Sequence, residues 1–308
     1  MKLSLGTVQL GMPYGIANRS GKPLKHEAFE IIKLAKNSGI SMLDTAAGYG
    51  ESEAIIGEYF MEDSLSVQDS CERKPFQVTT KISEIEVDKV YTQDEIYNVL
   101  ENRLKESLNR LSLNSVDYCM LHAPINMTSH DGKVIDALNG LKEQELARKI
   151  GVSVYTPEEV VQFLSIKGLD VIQVPINIFD LRLIQSGLLD SLYKKGIEVH
   201  ARSVLLQGLF TLNPEKLPQH LKEARQPLEL LGKLSKKCDL SPAQLGLLFI
   251  RDFCEISRLV VGCESKLQLA ENVATMQLPA LDQAIKDEIL QSFDGISEKI
   301  INPSKWGR

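Results

Sequence analysis

Residues 149–165 read KIGVSVYTPEEVVQFLS, and the pattern of this stretch changes twice. Positions 149–154 are dominated by Ile, Val and small residues without strict apolar–polar alternation, which is how a strand covered on both faces reads. Thr156-Pro157 then joins a capping hydroxyl to a proline at a first helical position, where the missing N–H costs nothing. Positions 157–165 continue as a short helix. Strand, cap and helix in this order form the repeating unit of a parallel α/β protein.

The unit recurs in both directions along the chain. Strand-like runs occupy residues 3–8, 41–45, 77–82, 116–122, 149–154, 171–176, 198–203 and 259–262. Helical patterns lie between them at 26–38, 52–60, 93–111, 134–146, 157–165, 187–195 and 241–253. Gly39 is a C-cap for the first helix, Ser52 is placed to cap the second, and Ser241-Pro242 repeats the Thr156-Pro157 device. Eight strands with helices between them predict a closed (β/α)₈ TIM barrel. A doubly wound sheet is the rival, but it predicts a GxGxxG loop after an early strand, and the chain has none. The expected organisation is one barrel domain over residues 1–308. Extra helices fall near the C-terminus at 219–238 and 281–293, and 61–75 forms a polar surface insertion.

Composition narrows the function classes. Hydrophobic residues make up 43% and charged residues 25%, which is globular. Thirty-five basic against 41 acidic residues give −6, with a pI near 5.5, which argues against a nucleic-acid or anionic-membrane footprint. No apolar run reaches the ~18 residues that span a bilayer. The opening MKLSLGTVQLG reads as a first strand and not as a secretory signal. Cys71, Cys119, Cys238, Cys254 and Cys263 are scattered, odd in number and free of CxxC spacing, as in a reduced cytoplasmic protein without a metal site.

Barrels place function at the C-terminal ends of their strands. Asp44 closes the second strand, Tyr49 follows five residues later, Lys81 closes the third strand and His122 the fourth. Singly, each has an ordinary explanation: a strand-end acceptor, a packing tyrosine, a solvated lysine, a core imidazole. Together, at the ends of three consecutive strands, they point into one mouth. Chemistry supplies a reason for the set. A free phenol with a pKa of ~10 is a poor proton donor at neutral pH. A lysine ammonium beside it stabilises the phenolate, an aspartate holds that lysine charged, and an imidazole orients a carbonyl oxygen.

The motifs LDTAAGYGESE, TTKIS, MLHAP, IGVSVYTPEE and GCESKLQLAEN, in this order, resemble those of the aldo-keto reductase superfamily over nearly the whole chain. The resemblance implies a nicotinamide-dependent oxidoreductase, with Tyr49 as general acid/base, Asp44 and Lys81 tuning it, and His122 orienting substrate. It implies that Ser153 and Gln173 hold the nicotinamide carboxamide, with Gly6 and Thr7 beneath the ring. It also implies an adenosine-phosphate site at Gly262, Glu264, Ser265, Gln268, Glu271 and Asn272. Two departures stand out. Val154 replaces the family's usual Asn after the serine. Arg202 replaces a tyrosine that stacks on nicotinamide, and its planar guanidinium is either a substitute stack or a solvent-facing charge. Family members often grip the 2′-phosphate of NADP(H) with basic residues, but here those positions are Gly262 and Gln268, with Glu264 between. NAD(H) is therefore expected to bind about as well as NADP(H) or better, with Lys266 as the counterweight.

Other functions fit less of the sequence. A cofactor-binding regulatory subunit on the same fold would not need the full set of four. A lyase with Lys81 as Schiff-base nucleophile leaves Tyr49, His122 and GCESKLQLAEN unexplained. A ligand-free structural barrel explains none of them. The resemblance suggests an aldehyde, ketone or sugar carbonyl. Specificity falls to loops 123–133, 179–186 and 296–308, where Trp306 either walls the pocket or docks the terminus. Substrate, physiological direction and oligomeric state stay open at this stage.

Overall fold

The computed structural model describes residues 1–66 and 76–306. Its strands are β1 (Leu3–Gly6), β2 (Met42–Asp44), β3 (Gln77–Ile82), β4 (Val116–Leu121), β5 (Ala147–Ser153), β6 (Val171–Pro175), β7 (Glu198–Arg202) and β8 (Ile256–Gly262). They form a closed barrel in chain order, every neighbouring pair parallel, with β8 returning to β1 through Leu3↔Leu259 and Gly6↔Gly262. This is the (β/α)₈ TIM barrel that the alternation of patterns predicts.

The longer helices are α1 (Lys25–Asn37), α2 (Ser52–Ser66), α3 (Gln93–Leu111), α4 (Lys133–Glu143), α5 (Pro157–Ser165), α6 (Leu188–Lys194), α7 (Arg225–Lys237), α8 (Pro242–Arg251), α9 (Lys266–Met276) and α10 (Gln283–Ser292), and four-residue helices occupy Val8–Gly11, Arg182–Gln185 and Glu298–Ile301. The two Pro-led starts behave as their sequences indicate. Thr156 accepts from the Glu159 amide while Glu159 accepts from the Thr156 amide, and Ser241 and Gln244 do the same for α8. Gly39, at φ +77°, turns the chain out of α1 in the left-handed conformation that glycine adopts without cost.

Several boundaries differ from the sequence reading, each for a local reason. β1 stops at Gly6 because Thr7 turns the chain, its amide and its hydroxyl both donating to the Asp44 carbonyl (3.0 and 2.9 Å). Ser52 does not cap α2. Its hydroxyl donates to Thr7 Oγ1 (2.7 Å) and shares a 3.0 Å hydrogen bond with Thr45. α2 runs on to Ser66, so the first part of the expected insertion is helical, while residues 67–75, with Cys71, lie outside the described residues. β8 starts at Ile256, where Ser257 and Arg258 interrupt the apolar run but Arg258 reaches Gln77 Oε1 (2.9 Å). The stretch 219–238 splits into a 3₁₀ turn, Gln219–Ala224, and α7.

One large apolar core lies between strands and helices, and a separate cluster of Met42, Tyr118, Met120 and Val171 plugs the barrel. Strand side chains alternate between faces, so Asp44, two residues past Met42, and Gln173, two past Val171, point inward above that plug. The barrel interior therefore changes from apolar to polar toward the C-terminal mouth. The C-terminal segment closes over one side, with Trp306 buried and its indole N–H donating to the Ile300 carbonyl (3.1 Å).

Candidate active site

Lys81 is fully buried at the end of β3, which rules out the solvated strand-end reading. Its ammonium has three N–H bonds and each finds an acceptor: Asp44 Oδ1 at 2.6 Å, the Thr45 carbonyl at 3.0 Å and Tyr49 Oη at 3.2 Å. Burial alone would lower the Lys81 pKa, but Asp44 and Tyr49 outweigh it and raise it, so the group stays an ammonium. Asp44 in turn accepts from Gln173 Nε2 at 2.7 Å. His122 packs edge-on against Tyr49, ring centroids 5.7 Å apart. Burial, with Lys81 and Arg202 nearby, pushes its pKa down to about 4, so the imidazole is neutral at working pH. Four residues from three strand ends and a loop thus meet around the Tyr49 hydroxyl.

That hydroxyl opens into a cleft of about 490 Å³ across the C-terminal face. Gly6, Thr7, Asp44, Tyr49, His122, Ser153, Gln173 and Arg202 line it on the β1–β7 side. Gly262, Glu264, Gln268, Glu271 and Asn272 line it on the β8–α9 side. Ser265 is not among the lining residues. It caps α9, accepting from the Gln268 amide at 3.3 Å. Trp306 is likewise absent from the lining, while Ile301, Asn302, Pro303 and Ser304 are present.

Comparison with known proteins decides what this assembly is. The family model for the aldo/keto reductase family matches residues 2–291. The chain belongs to the aldo/keto reductase family. An L-glyceraldehyde 3-phosphate reductase from Escherichia coli is 26% identical over 305 residues, covering 87% of this chain and 86% of that protein. An aldo-keto reductase from Mycolicibacterium vanbaalenii is 29% identical over 214 residues, covering 68% and 69%. Among solved structures, an aldo-keto reductase from Bacillus halodurans in its holo form superposes with a TM-score of 0.73 at 21% identity, covering 99% of this chain and 95% of that one.

Aldo/keto reductases use NAD(P)H, and the cleft fits such a cofactor. A Cβ at Gly262 would run into the Gln9 side chain, so glycine there keeps a close backbone–side-chain approach at the β8 end. Gln9 also lines the cleft, and its Oε1 is buried with no hydrogen-bond partner among the described residues. Gln173 has spent its amide N–H on Asp44, which leaves its carbonyl oxygen for a carboxamide. Sequence reasoning missed Gln9, Tyr14 and Tyr155 in the lining. It also missed the buried Thr7–Ser52–Thr45 hydroxyl chain that holds the β2–α2 loop, and with it Tyr49. A lone glutamine or threonine carries no motif, so nothing in the sequence marked them.

Proposed function

We propose that this aldo/keto reductase reduces the carbonyl of an aldehyde, ketone or sugar to an alcohol with NAD(P)H, and that Tyr49 supplies the proton. The observation that carries the reading is the fully satisfied, buried Lys81. Because Lys81 donates to Tyr49 Oη, the phenol keeps its own O–H free to donate toward the cleft. When bound, NAD(P)H would supply the hydride that reduces the carbonyl carbon. Tyr49 protonates the oxygen, Lys81 stabilises the phenolate left behind, and Asp44 holds Lys81 charged. His122, neutral, orients the carbonyl oxygen. Ser153 and Gln173 would hold the carboxamide, Gly6 and Thr7 would lie beside the nicotinamide, and Arg202, whose guanidinium rests on Tyr155, would stack on it. The β8–α9 residues, with Ser265 acting through the start of α9, take the adenosine phosphates.

Lys81 argues against a Schiff-base lyase, since a raised pKa and three hydrogen bonds leave no free amine. The named Escherichia coli relative acts on a phosphorylated aldehyde, which supports a small polar carbonyl substrate. We take the chain as one barrel domain in a reducing, cytoplasmic setting. The test is cofactor-fluorescence titration followed by a carbonyl panel on wild type and Tyr49→Phe. Cofactor binding should persist in the variant while reduction falls by ~10²–10⁴-fold, the usual worth of a general acid. Unchanged turnover in Tyr49→Phe removes the tyrosine, and this reading, from the mechanism.

A further inference from the structure

Arg202 closes β7 and is half-buried in the cleft wall. Its guanidinium lies over the Tyr155 ring, 4.4 Å from the centroid. Nη2 donates to the Val154 carbonyl at 3.0 Å and Nη1 to Ser203 Oγ at 3.3 Å. The Val154 carbonyl, together with the Tyr155 ring and Ser203, thus fixes the guanidinium. No carboxylate pairs with Arg202 among the described residues. Two other charged residues of the lining are neutralised from just behind it, Asp44 by Lys81 at 2.6 Å and Arg182 by Asp180 at 2.7 Å. Glu264 and Glu271 stand on the β8–α9 side and make no ion pair with Arg202. A fixed, unneutralised positive charge therefore faces the part of the cleft that Tyr49, Ser153 and Gln173 share. The low His122 pKa, to which Arg202 contributes, reports the same positive field.

We propose that Arg202 sets the oxidation-state preference of the cofactor site, holding the reduced nicotinamide and rejecting the oxidised one. The inference rests on the NAD(P)H reading above. An oxidised nicotinamide ring is cationic and a reduced one is neutral, so a guanidinium beside the ring repels only the oxidised form. An aromatic side chain at this position would stack on both without that penalty. Two like charges in contact at a partly buried site shift a binding equilibrium by about ten- to a hundredfold. The consequence is a protein that loads reduced cofactor even against an excess of oxidised cofactor and releases the oxidised product readily. That assigns the working direction as carbonyl reduction.

The test is binding, not turnover: NADH, NAD⁺, NADPH and NADP⁺ titrated by calorimetry onto purified wild type, Arg202→Tyr, Arg202→Gln and Arg202→Lys. Wild type should favour the reduced forms. Tyr and Gln should lower the oxidised-to-reduced Kd ratio by about tenfold or more, chiefly by tightening the oxidised form. Lys keeps the charge without the plane, so it should preserve the ratio within about threefold while both forms weaken. In wild type the ratio should also shrink as salt rises, because the repulsion is partly screened. A ratio in the neutral variants within about threefold of wild type overturns the proposal and leaves Arg202 as a stack only. If none of the four nucleotides binds wild type, the cofactor reading itself falls, a result distinct from an unchanged ratio.

Discussion

The ammonium of Lys81 joins Asp44, Thr45 and Tyr49 in one buried knot, so removing it has two separable effects. Lys81→Met leaves the Asp44 carboxylate buried with Gln173 as its remaining side-chain partner, and breaking such a pair costs about 3–5 kcal/mol. It also removes the charge that stabilises a Tyr49 phenolate. Adding Asp44→Asn should restore much of the stability and none of the activity, because only the stranded charge has been repaired. Thermal midpoints and turnover measured on both variants check this, and activity returning with stability would place Lys81 outside the chemistry. At the cofactor end, half-buried Glu264 donates its amide to Gln268 Oε1 (2.7 Å), and burial raises the pKa of its carboxyl. Lys266, the one basic side chain in the motif, is tied to Glu30 at 2.8 Å. A carboxylate at that place repels a 2′-phosphate and suits a ribose hydroxyl. NAD(H) should therefore bind about as well as NADP(H) or better, and Glu264→Arg should shift preference toward NADP(H) by about tenfold or more, near the worth of a charge-assisted pair. Wild-type NADPH binding about a hundredfold tighter than NADH would contradict this.

Among the elements, the short helix Val8–Gly11 is the one that reaches furthest into function. A Cβ at Gly11 would overlap the Tyr49 carbonyl oxygen and the Ser52 amide, and Gly50 packs back against Gly11. Gly11→Ala must therefore push the β2–α2 loop away, and Tyr49 with it. Overpacking of this kind costs about 1–3 kcal/mol. The expected signature is a fall in kcat larger than any change in cofactor Kd, since the displaced group is the proton donor and not the cofactor wall. Equal losses in both would show a general collapse of the face instead. This helix was not legible in the sequence, because VQL continues the apolar run of β1 and only the Thr7 turn, fixed by Asp44 across the sheet, breaks it. The same limit hid the role of Ser52, whose hydroxyl reads as a cap locally but is claimed by Thr7 and Thr45 from other elements. By contrast α3 and α5 match their expected bounds, since long amphipathic spacing and a Thr-Pro start are local signals. Asp44, Tyr49, Lys81 and His122 were legible because strand ends in a barrel converge. Which hydrogen bonds they make was not, because that depends on the shear of the closed sheet.

For the molecule as a whole, the barrel plug carries a cost that appears in acid. His200 points into the interior beside Tyr118, ring centroids 5.0 Å apart, and neither ring nitrogen has a hydrogen-bond partner among the described residues. Its Nε2 stands 4.0 Å from a Glu198 oxygen, too far for a hydrogen bond, and Lys149 already engages Glu198. Burial first, then Arg258, Lys81 and Lys149, drive the His200 pKa down to about 3, as burial and neighbouring cations drive His122 down to about 4. In the unfolded chain both return to the ordinary value of ~6.5. Between those values the unfolded state binds protons that the folded state refuses, so stability falls as pH falls. The loss starts near pH 6.5 and continues down to about 4 for His122 and about 3 for His200. By pH ~4.5 it amounts to on the order of 2 kcal/mol for each imidazole. His200→Leu removes one of the two acid-sensitive groups without stranding a hydrogen-bonding partner, so its stability at pH ~7.5 should lie within about 1–2 kcal/mol of wild type. As pH is lowered to ~4.5, the variant should gain on wild type by on the order of 2 kcal/mol. Urea midpoints across that range measure the difference. Two parallel profiles would mean that the folded protein takes up the proton at His200 as readily as the unfolded chain does.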